Sequence, residues 1–470
     1  MQGEVRPQEG RGTMSRLSIL AALAVIVLVL AACGGEEAGP TAGTPGTTSR
    51  AGPVQIEMWH SEPAANEETL KRMIDRFNAS QDEVTVTPVY QGSPQDLMTK
   101  LMASTGSGQV PAIAELMETY IRRLIDSGFV APLQDFMDRE DYEFSDLDER
   151  AVQSYTVEDK LWGGPFCVDI PLLYYNKLVF KEVGLDPERP PQTLEELREY
   201  SQKILKRDAS GNVQRSGVSI AVTLWTEQVF AQQGDLMLDM NNGHDGRATK
   251  VLFDDDTGRR FFQWWYDMVE EGLAFNVGRN PGGADNYLAV ASGRAAMTFG
   301  YAGALRSLVS ALEKGVEGVE IGVGPMPGFA DGTGSTLLLP HGLWIMNLRP
   351  QEEQEAAWKF IKWFLEPEQQ AEWFAGSGQL PVSRSSVELP AAQGVVAQYP
   401  LFETALEQYL GVPANPASLG LILGPFPEVR KAIEDGVEEM LVGGKDPIKA
   451  LDDAAQRANQ AIEKYNEQVK

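Results

Sequence analysis

The chain has 470 residues, a formal net charge of −27, two cysteines and three histidines. A strongly acidic protein repels the phosphate backbone, so this charge argues against nucleic acid as a partner. The three histidines, His60, His244 and His341, are never four residues apart, and with so few cysteines we expect no metal site and no cofactor. The length is sufficient for two lobes of ordinary size.

An apolar stretch near the N-terminus predicts how the chain is processed and where it is located. It begins at Leu17, follows the basic Arg16, and ends in Leu30-Ala31-Ala32-Cys33. This pattern is typical of a bacterial lipoprotein signal. We expect cleavage before Cys33 and lipidation of this cysteine, which would anchor the protein to the outer face of the cytoplasmic membrane. An ordinary transmembrane anchor is the alternative.

The segments on either side of the apolar stretch add two expectations. Glu4 and Glu9 place acid where a signal peptide has base, so we expect translation to start at Met14 and residues 1–33 to hold the signal and the anchor. Residues 34–53 are mostly Gly, Thr, Pro and Ala and cannot bury enough apolar surface to fold. They are predicted to form a flexible linker.

Beyond the linker, strand and helix patterns alternate. Residues 54–58 alternate apolar and polar side chains, which predicts a strand, and the apolar spacing within 66–79 predicts a helix. A strand over 84–90, a helix over 95–104 and a strand at 113–114 follow. This order predicts a mainly parallel sheet covered by helices, in which ligands bind where the strands end.

A second block of the same type begins with a predicted strand over 172–176. Thr193 and Glu196 have the spacing of a capping box at the start of its first helix, and Asp446 followed by Pro447 predicts the start of a final helix. The two blocks predict the α/β class, with two lobes and a ligand cleft between them.

The sequence carries no catalytic motif. It lacks a G-x-S-x-G elbow, a Walker loop and a G-x-G-x-x-G turn. Paired carboxylates of a glycoside hydrolase cannot be recognised from spacing, so a secreted carbohydrate-active enzyme stays open as an alternative, as does an inert adhesion lipoprotein. Trp59, Trp225 and Trp344 lie next to turn residues, where their rings could stack on a sugar; core packing is the alternative for each.

Several stretches resemble extracellular solute-binding protein family 1, the substrate-binding lipoproteins of ABC importers, which includes maltose-binding and glycerol-3-phosphate-binding proteins. The likeness extends from Val54 to the C-terminus. It rests on Ile56-Glu57-Met58-Trp59-His60-Ser61, Arg76-Phe77-Asn78, Leu173-Tyr174-Tyr175-Asn176-Lys177, Asn241-Asn242-Gly243, Leu343-Trp344 and Leu380-Pro381.

The resemblance implies a two-lobe, type II periplasmic-binding-protein fold with hinge crossings. It also implies a monomer that closes on a small solute, docks on ABC permease subunits and catalyses no reaction. We expect an N-terminal lobe of 54–165 and 335–381 and a C-terminal lobe of 166–334 and 382–470, with hinges near Pro165 and Gly334.

The resemblance to the glycerol-3-phosphate binders also implies where the ligand contacts lie. Glu118 and Trp225 match the ligand contacts of that group, whereas Asp169 and Gln379 replace a serine and a tyrosine, and Ile422 replaces an arginine. Loss of the arginine removes a bidentate partner for phosphate, and Asp169 beside Glu118 would repel a phosphate dianion. We therefore expect a neutral mono-, di- or oligosaccharide, with its hydroxyls bound by Glu118, Asp169 and Gln379.

Aromatic side chains would complete the predicted site. Trp225 or Tyr301 would stack on the sugar, and Trp59, His60 and Trp344 would line its edge. The alternative ligand is glycerol-3-phosphate or a glycerophosphodiester held by backbone N–H groups at helix N-termini. For the carboxylates of Glu118 and Asp169, a structural salt bridge is the alternative role.

Overall fold

The computed structural model describes residues 52–220, 224–278, 284–315, 318–411 and 415–469, and these form one compact unit. The predictions for the signal, for Met14, for Cys33 and for nearly all of the linker fall outside the described residues. None of the helices in the described ranges combines the length and the hydrophobicity that a membrane span requires.

The strands of the described residues form two six-stranded sheets and one hairpin. The first sheet contains β1 (Val54–His60), β2 (Val84–Tyr90), β3 (Ile113–Met117), β4 (Val130–Ala131), β7 (Gly164–Asp169) and β14 (Leu339–Met346). The hairpin contains β5 (Thr156–Val157) and β6 (Lys160–Leu161). The second sheet contains β8 (Pro171–Asn176), β9 (Lys206–Arg207), β10 (Val213–Ser219), β11 (Ala274–Phe275), β12 (Ala295–Tyr301) and β13 (Ile321–Pro325).

Helices cover both sheets. In chain order they are α1 (Ala64–Ser80), α2 (Pro94–Thr105), α3 (Ile121–Ser127), α4 (Leu133–Glu140), α5 (Glu149–Ser154), α6 (Lys177–Glu182), α7 (Leu194–Ile204), α8 (Leu224–Gln233), α9 (Asp239–Asn242), α10 (Asp256–Glu270), α11 (Asp285–Ala291), α12 (Leu305–Gly315), α13 (Gln351–Phe364), α14 (Pro367–Ser377), α15 (Pro390–Gln398), α16 (Leu401–Gly411), α17 (Phe426–Leu441) and α18 (Pro447–Gln468). A 3₁₀ turn, Glu118–Tyr120, joins β3 to α3.

The sheets are mixed, so the prediction of a mainly parallel sheet is wrong. β1 runs parallel to β2 and β3, and β10 runs parallel to β11 and β12, as the local strand-helix-strand pattern predicts. Strands that arrive from the other sheet pair in the opposite sense. β14 is antiparallel to β3, β4 and β7, and β8 is antiparallel to β12 and β13.

Helix caps explain several of the boundaries. The Asp446 side chain accepts a hydrogen bond from Lys449 N and begins α18, as predicted. The Thr193 hydroxyl accepts one from Glu196 N at the start of α7. The reciprocal half of the predicted capping box differs, because the Glu196 carboxylate accepts from Gln192 N rather than from Thr193 N.

The two sheets define the two lobes, and the chain passes between them at several points. β7 remains in the first sheet through Asp169, and β8 in the second sheet begins at Pro171, so the first crossing falls at residue 170 and later than the predicted Pro165. A second crossing lies between β13 and β14, which includes Gly334. The predicted boundary at 382 is also too early, because α15 still packs on α14 of the first lobe.

Candidate functional site

Three polar side chains meet where the strands of the first sheet end. Glu115 on β3, His341 on β14 and Glu62, which follows β1, place their oxygen and nitrogen atoms within 4.8 Å of one another. His341 Nδ1 lies 3.2 Å from Glu115 Oε1, and the Ser61 N–H donates to Glu115 Oε2 over 2.9 Å. Glu62 Oε2 accepts a hydrogen bond of 2.8 Å from the Asn66 side chain.

The charges of this cluster are strongly coupled. Burial opposes protonation of His341, but the hydrogen bond to Glu115 and the charges of Glu115 and Glu62 raise its pKa to about 9. Burial and the Glu115 charge raise the pKa of Glu62 to about 7. Burial alone would raise the pKa of Glu115, but the bond to His341 outweighs it and the pKa is lowered. At neutral pH the cluster therefore contains an imidazolium next to an ionised Glu115.

Asp169 and Gln379 lie together at the first crossing between the lobes. Asp169 Oδ1 accepts hydrogen bonds from Ile170 N and Gly303 N, each of 2.9 Å. Burial raises the pKa of Asp169 to about 6, although the Gly303 N–H opposes this shift. A Cβ at position 303 would lie 2.9 Å from Asp169 Oδ2 and 3.5 Å from Gln379 Cγ, so a larger residue there would displace the Asp169 carboxylate. The Gln379 amide oxygen accepts from Trp373 Nε1 over 3.1 Å.

Glu118 contacts the second lobe directly. Its Oε1 lies 3.4 Å from Arg430 Nη2, and Arg430 also donates to both oxygens of Glu227 at 2.7 and 3.0 Å. Glu118 is 4% exposed, and its Oε2 has no hydrogen-bond partner in the described part of the chain. Burial raises the pKa of Glu118, and the Arg430 charge opposes this shift. Arg430 is thus a cleft cation that two carboxylates already neutralise.

Aromatic rings form one wall of the second lobe. Trp225 on α8 is 1% exposed and lies 5.3 Å from the ring of Tyr301 and 5.6 Å from that of Phe299. Tyr301 remains partly exposed at the end of β12, and its carbonyl oxygen accepts a hydrogen bond from the Tyr174 hydroxyl. Tyr301 is therefore the ring that can face a ligand, with Trp225 packed behind it.

Two predicted tryptophans lie elsewhere, because strand side chains alternate between the two faces. Trp59 is on the opposite face of β1 from His60; its Nε1 donates to Glu57, and its ring lines a separate groove of about 550 Å³. Trp344 is 0% exposed and packs 5.6 Å from the ring of Tyr155. The prediction that these two residues line the ligand site is wrong.

His60 is likewise fully buried rather than on the rim of the cleft. It is 0% exposed, and its ring lies 5.8 Å from that of Tyr90. Burial lowers the pKa of His60, so it is neutral at physiological pH. It neighbours the Glu115 cluster without reaching solvent.

Sequence reasoning missed the residues that now dominate the electrostatics of the cleft. Ile422, at the position of the arginine in the glycerol-3-phosphate binders, is 1% exposed and offers no charge. The arginine of the cleft is instead Arg430, one turn into α17, where the helical stripe gave no sign of a functional role. Three further carboxylates and one imidazole were also missed: Glu62, Glu115, Glu227 and His341.

The chain matches known proteins over most of its length. The model of a family described as bacterial extracellular solute-binding protein matches residues 72–404. The sn-glycerol-3-phosphate-binding periplasmic protein UgpB of Escherichia coli strain K12 is 28% identical over 424 residues, which is 88% of this chain and 94% of that protein. The corresponding protein of Pectobacterium atrosepticum is 28% identical over 89% of this chain and 93% of its own.

Solved structures share the fold. The cyclic alpha-maltosyl-1,6-maltose binding protein of Arthrobacter globiformis superposes with a TM-score of 0.72 and 25% identity, covering 87% of this chain and 99% of its own. UgpB of Mycobacterium tuberculosis, solved with glycerophosphocholine, gives a TM-score of 0.70 and 21% identity over 89% of this chain and 100% of its own. With two sheets covered by helices and a family match over residues 72–404, the chain belongs to the bacterial extracellular solute-binding proteins.

Proposed function

We propose that the protein captures a neutral carbohydrate outside the cytoplasmic membrane and delivers it to the permease of an ABC importer. The observation that carries this proposal is the charge of the cleft. Five carboxylates, those of Glu62, Glu115, Glu118, Asp169 and Glu227, are grouped there with the cationic side chains of Arg430 and His341.

Such a cleft suits hydroxyl groups better than phosphate. A sugar hydroxyl donates a hydrogen bond to a carboxylate, and a bond to a charged acceptor contributes about 1.5–3 kcal/mol. Glu118 Oε2 is buried without a partner in the described structure and is therefore available as such an acceptor. A phosphate dianion would instead meet several negative charges in a poorly solvated space, and Arg430 is already paired twice.

Tyr301 supplies the complementary apolar contact. An aromatic face stacks on the C–H face of a sugar ring, and Tyr301 is the partly exposed ring of the second-lobe wall. Asp169 at the crossing and Tyr301 in the second lobe would contact the same solute. Closure of the lobes around the solute then follows from its higher affinity for the closed state, and no catalytic step is needed.

A phosphate ester is the second candidate ligand, and Arg430 is the observation that favours it. The relatives named above bind glycerol-3-phosphate or were solved with glycerophosphocholine. If Arg430 exchanged Glu118 for a phosphate oxygen, it would supply a bidentate donor. This route requires Glu118 to become protonated or to move, since its unpaired charge would otherwise face the phosphate.

Thermal unfolding against a ligand panel separates the two candidates. A solute that binds only the native state raises the unfolding midpoint. We expect a shift with one group of neutral sugars and none with glycerol-3-phosphate or glycerophosphocholine. A shift with phosphate esters alone would overturn the carbohydrate proposal. Each sugar that raises the midpoint is then incubated with the protein and analysed by chromatography. Detection of a hydrolysis product would favour the enzyme alternative.

Attachment of the protein to the membrane through Cys33 is part of the same proposal. The support is the sequence Leu30-Ala31-Ala32-Cys33 after an apolar stretch. We expect the protein to partition into detergent when it is expressed in a host that lipidates such signals, and Cys33→Ser to abolish that partition. An unchanged membrane fraction for the variant would contradict lipid anchoring at Cys33.

A further inference from the structure

Side chains that can ligate a metal form a row across adjacent strands of the first sheet. Trp59 of β1 pairs with Ala114 of β3, so the next residues along these two parallel strands are His60 and Glu115. On β14, Leu343 is the direct partner of Glu115. His341 is two residues before Leu343 and therefore lies on the same face of the sheet. Residues that are paired directly, or two apart, share a face of a sheet. The row therefore lies on one face, at the edge that borders the cleft.

Glu62, in the segment that follows β1, completes the group. The ligand atoms of Glu62, Glu115 and His341 lie within 4.8 Å of one another, although the three residues come from distant parts of the chain. Glu62 and Glu115 are 3% and 0% exposed, whereas the His341 side chain keeps 16% of its surface in contact with solvent. The cluster is thus buried, and His341 is its most exposed member.

Neighbouring groups hold the carboxylates in place. Glu115 Oε2 accepts from the Ser61 N–H and hydroxyl at 2.9 and 2.8 Å, and Glu62 Oε2 accepts from the Asn66 amide at 2.8 Å. Such outer hydrogen bonds orient the ligands of metal sites and tune their affinity. Two carboxylates that are fixed this close together repel each other unless a positive charge lies between them. In the metal-free chain the His341 imidazolium supplies that charge, and a bound cation would replace it with loss of the imidazole proton.

His60 provides the second, independent observation. It is 0% exposed, and neither of its ring nitrogens has a hydrogen-bond partner in the described structure. An unpaired polar group in the interior costs about 1–3 kcal/mol, so a buried imidazole without partners requires an explanation. The strand register places this ring on the same face as Glu115, on the neighbouring strand, where the Glu115 charge acts on it. Its nitrogens lie outside the group of ligand atoms that are within 4.8 Å of one another.

We propose that Glu62, Glu115 and His341 bind a divalent cation, Zn²⁺ or Mn²⁺, with the unpartnered His60 next to the site. Imidazole nitrogen and carboxylate oxygen are the donors that these ions accept, and three protein ligands leave a coordination position open. This proposal replaces the expectation of no metal site, which considered spacing along the sequence and not across strands. The same three residues belong to the charged group that the proposed function uses, so metal binding is measured without solute.

Isothermal titration of the chelator-treated full chain with ZnCl₂ and with MnCl₂ tests the proposal, and elemental analysis after dialysis gives the stoichiometry. We expect one ion per chain, and an affinity at least tenfold lower in His341→Ala and in Glu62→Gln. The matched control is Glu57→Gln, which removes an exposed carboxylate on the opposite face of β1 and should bind as the parent does. Absence of binding by the parent, or equal affinities in all variants, would overturn the proposal.

A measurement on the unaltered chain covers the case in which these variants fail to fold. Diethyl pyrocarbonate modifies accessible imidazoles in their neutral form, so the reaction is run at pH 8, where a fraction of His341 is neutral. Peptide mass spectrometry reports the modification of each histidine. We expect ZnCl₂ to protect His341, the partly exposed member of the cluster, by at least fivefold. The control within the same chain is His244, whose Nε2 lies 3.4 Å from Gly420 O and whose modification should not respond to the ion. Unchanged modification of His341 would contradict the site.

Discussion

Arg430 Nη2 lies 3.4 Å from Glu118 Oε1, and this contact joins α17 of the second lobe to the 3₁₀ turn that ends β3 in the first. Since Arg430 also binds both oxygens of Glu227, one guanidinium organises two buried carboxylates. The cleft therefore has a fixed cation in its own network rather than one reserved for a ligand.

Loss of this cation should destabilise the fold. In Arg430→Met, the side chains of Glu118 and Glu227, 5% and 4% exposed, would be left as buried charges without a partner. We expect the free energy of unfolding to fall by about 3 kcal/mol, as is typical when one partner of a buried pair is removed. Urea denaturation measures this change.

The matched control for this variant is another arginine that spans the two lobes. Arg123 pairs with Glu428, whose side chain is 51% exposed, so Arg123→Met should cost less than about 1 kcal/mol. Equal losses in the two variants would show that the burial of the Arg430 network has no energetic consequence.

Solute affinity should depend on pH through Asp169. Its pKa is raised to about 6 by burial, and the titratable groups around it include His341, Tyr174, Tyr287, Tyr301 and Cys167. A carboxylate that accepts a hydroxyl proton must be ionised, so affinity should be nearly complete at about pH 7, about half of its maximum near pH 6 and about tenfold lower at about pH 5.

The Asp169→Asn variant isolates this contribution. Its amide cannot titrate, so calorimetry should give weaker binding of the solute at pH 7 and little further loss between pH 7 and pH 5. A profile that remains as steep as that of the parent would assign the pH dependence to another group, such as Glu62.

The stacking role of Tyr301 makes a third prediction. Replacing it with leucine keeps apolar volume but removes the aromatic face, so a sugar should bind about 2- to 12-fold more weakly. Calorimetry with the sugar identified in the thermal panel measures the change. Tyr90→Leu, at an aromatic residue that is 52% exposed on β2, serves as the control and should bind normally.

Gly243 makes a prediction about stability. It has φ +85°, and a Cβ at this position would lie 2.0 Å from the carbonyl oxygen of Ile422. Since the backbone of both segments would have to move, Gly243→Ala should cost more than about 4 kcal/mol or prevent folding.

A second glycine separates the strain from the clash. Gly184 has φ +76° with nothing within 4 Å of its absent Cβ, so Gly184→Ala should cost only the conformational strain of about 1–2 kcal/mol. Thermal unfolding of the two variants gives the comparison. Similar losses would contradict the steric argument for Gly243.

The sequence predicted the local elements well because their signals are local. The strand alternation of β1, the apolar stripe of α1 and the Asp446 cap of α18 depend on residues that are neighbours along the chain. The mixed pairing of the sheets depends instead on where β14 and β8 arrive after crossing between lobes. No local pattern encodes that arrival, and the prediction of mainly parallel sheets failed for this reason.

The candidate site was predictable only in part, for a related reason. Glu118, Asp169 and Gln379 were named from the resemblance, and the structure places them with Arg430 or with the Glu62 cluster. Trp344 and Trp59 were misplaced because being near a turn does not decide which face of a strand a side chain occupies. Arg430 and His341 were missed because each acquires its role only from partners more than a hundred residues away.

The first crossing between the lobes consists of a single residue, Ile170, and the preceding Asp169 is a predicted solute contact. Asp169 Oδ1 is bound both by Ile170 N and by Gly303 N of the opposite lobe. A solute that binds this carboxylate would therefore contact the residue next to the crossing itself. No intermediate residues would be needed to couple solute binding to a movement of the lobes. If Asp169 binds the solute as we propose, recognition of the solute and a change in the angle between the lobes would occur at the same residue.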